Sequence, residues 1–91
     1  MTTTVIYIDT KTTPDPVYGQ RETITARTHT GHDASCMLPA PYAGEVWVDA
    51  GRERARNARF AEMLAAMLLR GWRTTYATIE PSPYAVMEKE D

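Results

Sequence analysis

Only one stretch of this 91-residue chain combines helical length with a 3.6-residue apolar period; the rest is short, β-branched and broken by proline or glycine. That stretch spans about 50–70. Asp49 is placed to cap it, Glu53 lies in its first turn, and Gly71 directly after Arg70 suits the left-handed residue that ends a helix. On a helical wheel Phe60, Leu64, Met67 and Leu68 share one side, with Ala61 and Met63 flanking and Asn57 as the one polar intruder.

Strands are expected over 3–9, 21–29, 34–38, 45–48, 72–79 and 84–87, from runs of threonine, valine, isoleucine and aromatic residues. Pro14-Asp15-Pro16 reads as a loop, because proline cannot donate to a central ladder. Gly31-His32 suits a two-residue hairpin turn that would return Ala34–Leu38 antiparallel and set Met37 beside Ala26. Residues 88–91, three carboxylates and a lysine, read as a frayed tail. The expected fold class is α+β: a single domain over 1–91, with a mostly antiparallel sheet and one long helix packed on one face.

Charge is segregated along the chain. From Arg52 to Arg73 there are six arginines against two glutamates, while the whole chain carries a net −2. A net charge that small argues against a generic nucleic-acid coat, and the basic segment points to an acidic partner. Arg52, Arg56, Arg59 and Arg70 step onto one side of the helix, Arg54 lies elsewhere, and Arg73 follows the C-cap. Arginines in a first turn oppose the helix dipole, a cost that stability alone would not select. The bland alternative is a solvated face whose arginines pair with Glu53, Glu62 or acids on nearby loops. Trp72 and Tyr76 fall in one strand phase and Arg73 in the other, which favours a protein partner over a basic-aromatic groove for nucleic acid. The candidate partner-binding residues are therefore Arg52, Arg56, Arg59, Arg70, Arg73, Trp72 and Tyr76.

Chemistry has little support. His29, His32, Asp33 and Cys36 include zinc-competent side chains, but the spacing is poor and no second cysteine exists. Cys36 sits in an expected strand, where a lone cysteine is more often a small packed hydrophobe than a nucleophile. No nucleophile elbow, phosphate-cradling glycine loop or zinc-helix motif is present. No catalytic residue, metal or cofactor is expected. The single cysteine and the lack of a signal-like or membrane-length apolar run fit a soluble cytoplasmic protein. Met63 and Met67 with the aromatics offer a seam for a homodimer.

In size and element order from Thr3 to Met87, N-terminal strands followed by one helix and a closing hairpin, the chain resembles the small phage-encoded inhibitor proteins, particularly some anti-CRISPR proteins. That resemblance implies a non-enzymatic blocker that binds a larger protein or ribonucleoprotein complex of host defence and masks a docking surface. The alternative is a nucleic-acid-binding accessory protein that sets the same arginines on phosphates.

Overall fold

The computed structural model describes residues 2–17, 19–40, 42, 46–47, 53–80 and 82–90. Asp49, Arg52 and the expected helix start at 50 lie outside them. The described elements are β1 (Thr3–Asp15), β2 (Gly19–Arg27), β3 (Val46–Trp47), α1 (Glu53–Leu69), β4 (Arg73–Thr78) and β5 (Tyr84–Glu90). All strand pairings are antiparallel, in the order β3-β2-β1-β5-β4. The chain adopts the α+β class, with one α-helix among the described residues.

Alternation does most of the building. Ile6 and Ile8 of β1, Ile24 and Ala26 of β2, and Ala85 and Met87 of β5 all point to one face and are buried. Between β3 at one edge and β4 at the other runs α1, which closes Phe60, Met63 and Met67 over this face. Each such side chain contributes roughly 1.5–3 kcal/mol on burial, enough for three or four to decide the packing of a small domain. The helix stops in a Schellman motif: Trp72 N–H donates to Met67 C=O (3.1 Å) and Gly71 N–H to Leu68 C=O (3.1 Å), with Gly71 at φ +94°. Trp72 then buries its ring in the core, with the Lys89 ammonium 5.9 Å from the ring centre.

Three expectations are corrected here. First, Pro14 is inside β1, opposite Gln20. The backbone N–H and C=O of Ala26 both face away from β1, and the same two-residue parity turns the Pro14 nitrogen away from β2. Since β5 pairs with β1 only as far as Asp9, no ladder donor is needed there. The β1–β2 hairpin thus projects beyond β5 and β4, with β3 beside it at Glu22 and Thr23, in a molecule of 47 × 23 × 22 Å. Its turn closes at Gly19 (φ +87°), and the Asp15 carboxylate accepts from Val17 N–H (2.8 Å) and Arg21 (3.0 Å).

Second, 34–38 is no strand. Ala34 N–H donates to Ala26 C=O (2.8 Å), but the Ser35 hydroxyl then takes Ala26 N–H (3.2 Å), and Ser35–Met37 wind into a 3-10 turn. Serine and aspartate side chains compete with the ladder, and Pro39 stops any resumption. The reversal is made by Thr28–Gly31, with Gly31 in the fourth position at φ +88°, and only Arg27 and Asp33 bridge.

Third, Glu88–Glu90 are strand, not tail: Val5 pairs with Glu88, Thr4 with Lys89 and Thr3 with Glu90. Parity points Lys89 N–H at β1. Lys89→Pro is therefore expected to lower unfolding free energy by at least about 1 kcal/mol in urea titration, where a frayed tail would tolerate it.

Candidate protein-binding face

The arginine face of the helix does not survive folding. Arg56 is 6% exposed and turns inward, its Nη1 2.6 Å from Glu22 Oε2 on the core side of β2. Its Nε donates to Asn57 Oδ1 (3.1 Å), and Asn57 Nδ2 donates to Glu80 Oε1 (3.3 Å), tying the start of α1 to both β2 and the β4–β5 connection. The polar intruder is thus part of this network. Arg59 is half-buried, bonded to Glu62 (2.6 Å) with its guanidinium 4.4 Å over the Tyr42 ring. Arg70 is exposed beyond the last turn, and Arg52 lies outside the described residues. The inward stripe is Arg56, Phe60, Met63 and Met67, so Leu64 is half-buried and Leu68 is 53% exposed. Burial of Met63 and Met67 also removes them as a dimer seam.

The remaining candidates divide between the two faces of the sheet. Trp72 is buried beneath the helix and cannot reach a partner. Tyr76 is 56% exposed on the opposite face, which no described element covers. The strand phase expected for the two is broken by a bulge at Thr75, whose hydroxyl donates to Val86 C=O (3.1 Å). The bulge flips every residue after it, so Tyr76 shares its face with Arg73 instead of opposing it.

Across that uncovered face the register aligns Arg27, Tyr7, Val86 and Tyr76 in one row, with Asp9, Tyr84 and Thr78 in the next. Tyr84 packs on Tyr76 at 5.9 Å between ring centres, tilted by 60°. Around this apolar and aromatic middle the charges are paired. Asp9 accepts from Thr25 (2.9 Å) and Arg27 (3.1 Å), and Arg73 reaches Glu88 (2.7 Å) and Glu90 (3.5 Å). Tyr and Arg are residue types that protein interfaces favour, so this face is the candidate site. Tyr7 and Tyr84 were not among the sequence candidates; the alternation of Tyr7 with Ile6 and Ile8 is the signal that places it outside.

Beside this strip lies a shallow open groove of about 790 Å³ whose walls include Asp9, Lys11, Thr25, Arg27, Asp33 and Ser35. Among the described residues no cluster of His, Cys, Asp and Glu is arranged for a metal. His29 and His32 sit exposed in the turn, and Cys36 is exposed rather than packed. The Asp33 carboxyl is held below its ordinary 3.8 by hydrogen bonds from the Ser35 side chain and backbone N–H.

No family model, curated protein or solved structure matches the chain. Among the described residues no helix is long and apolar enough to cross a membrane.

Two outcomes follow from this geometry. Arg56→Ala leaves Glu22 without its partner and is expected to cost about 3 kcal/mol in chemical denaturation, whereas Arg54→Ala, at an exposed site, stays within about 0.5 kcal/mol. The depressed Asp33 pKa means that its hold on the 3-10 turn is complete above the ordinary carboxylate value and is lost as pH falls through the folded-state value. The Ser35 amide proton shift should therefore titrate with a midpoint below 3.8, and Asp33→Asn should abolish the titration.

Proposed function

We propose that this chain is a small non-enzymatic binding protein, an inhibitor of the phage type that masks a surface of a larger host-defence complex of the CRISPR kind. The contact face in this reading is the uncovered side of the sheet rather than the helix. The observation that carries it is the Tyr7–Val86–Tyr76 row with Tyr84 beside it, an aromatic strip that spans three strands and is left open to solvent on Tyr76. The resemblance in size and element order supplies the class of partner.

A second reading gains something from the bulge, which sets Arg73 beside an exposed tyrosine as a stacking site for single-stranded nucleic acid would require. Electrostatics weigh against it. On this face Lys11, Arg21, Arg27 and Arg73 are balanced by Asp9, Asp15, Glu88 and Glu90, so the strip offers phosphates no net attraction.

The test is inhibition of target binding and cleavage by a panel of purified, guide-loaded CRISPR effector complexes. Wild-type protein should block at least one of them, and Tyr76→Ala should weaken that block by roughly 30-fold, the size of a hot-spot loss, with an unchanged melting temperature. Absence of inhibition across the panel, or full potency of Tyr76→Ala, would sink the proposal. Oligonucleotide anisotropy over a salt series separates the second reading, which requires binding that falls steeply as salt rises.

A further inference from the structure

The solvent side of α1 is as unusual as its buried side. With Phe60, Met63 and Met67 turned to the sheet, Ala58, Ala61, Ala65, Leu68 and Leu69 fall within an arc of roughly 100° on the far side. Every one of them is exposed, Leu69 by 91%. A helix lying on a sheet ordinarily shows water a polar back. Here the only charged residue within that arc is Arg54 at its first end, with Glu62 at the margin held by Arg59.

The arc is graded. Small residues, Ala58 and Ala61, occupy its first half, and the two leucines occupy its end. A second copy of the same helix, laid antiparallel across a twofold axis, sets Leu68 and Leu69 of each chain over the alanines of the other. Alanine on both sides lets the axes approach to the close end of the usual 8–10 Å. The same arrangement brings Arg54 of each copy to the C-terminal turn of the other, where the helix dipole favours a cation. In its own helix Arg54 sits at the wrong pole, and it makes no ion pair with any described residue. Size and charge are thus both self-complementary about one axis.

We propose that the chain forms a twofold homodimer through the exposed faces of two antiparallel α1 helices. It goes beyond the reading of the sheet face, because the two contact surfaces are on opposite layers and the outer sheet face of each copy stays open in the dimer. With one helix pair as its centre, the interface is at the small end of the specific range, and association in the micromolar region is expected.

Sedimentation velocity from low to high micromolar concentration, under reducing conditions, reads the outcome. Wild-type protein should move from monomer to dimer. Ala65→Arg, near the axis, should remain monomeric throughout while its circular dichroism and melting temperature match wild type. Mixing Ala65→Arg with Ala65→Glu should restore the dimer as a heterodimer. In a Cys36→Ser background, Ala65→Cys should form an intermolecular disulfide much faster than Glu53→Cys. A wild-type monomer at the highest concentration overturns the proposal. So does a dimer that persists in Ala65→Arg, which would place the axis at the β4 edge or on the tyrosine strip.

Discussion

The pairing of Arg56 with Glu22 sets the rotation of α1, and the rotation decides which surfaces the molecule shows. A guanidinium at this depth has to be neutralised, and the only described acid that meets it projects from the core side of β2. With Arg56 directed there, the residues one, two and three turns on, Phe60, Met63 and Met67, must also face the sheet. Leu68 and Leu69 are then carried outward. A rotation of one residue in the other sense would bury Leu64 and Leu68 and leave Glu22 unmatched. Buried ion pairs rarely add much net stability, but they discriminate well between alternative packings, and that is the use made of this one.

The sheet follows a similar division of labour. Its inner face is apolar and covered, while its outer face carries ion pairs around an aromatic middle. The bulge at Thr75 connects the two, since it lets one short strand send Trp72 into the core and Tyr76 to solvent with Arg73. Without it, strict alternation would drive Tyr76 under the helix end or pull Trp72 out of it.

Much of this was legible in the residues. The helix, its glycine stop, the antiparallel strands and the single covering layer all follow from period, propensity and turn chemistry. The helix stripe was misread by about one position because leucine, methionine and phenylalanine occupy both sides of α1, so apolarity alone cannot orient it. The decisive residue was a charged one whose partner lies far away in sequence. The phase of Trp72 and Tyr76 was unreadable for a different reason. A bulge is a property of the pairing, here Thr75 against Val86, and leaves no mark in the strand's own composition. Pro14 misled because a rule for central strands was applied to a segment with a neighbour on one side only. Ser35 misled because its hydroxyl replaced a backbone partner.

The strand order has a kinetic side. β4 touches the rest of the sheet only through β5, and β5 finds its place beside β1, so Tyr7 and Val86 meet from opposite ends of the described chain. High contact order of this kind makes the central pairing the slow step, since a loop of nearly the whole chain must close before it gains anything. During synthesis α1 and β4 emerge before β5, with Phe60, Met63 and Met67 lacking the β5 part of their floor. The native state is therefore reached in one late, cooperative event, and the half-made chain spends its waiting time with its stickiest side chains unprotected.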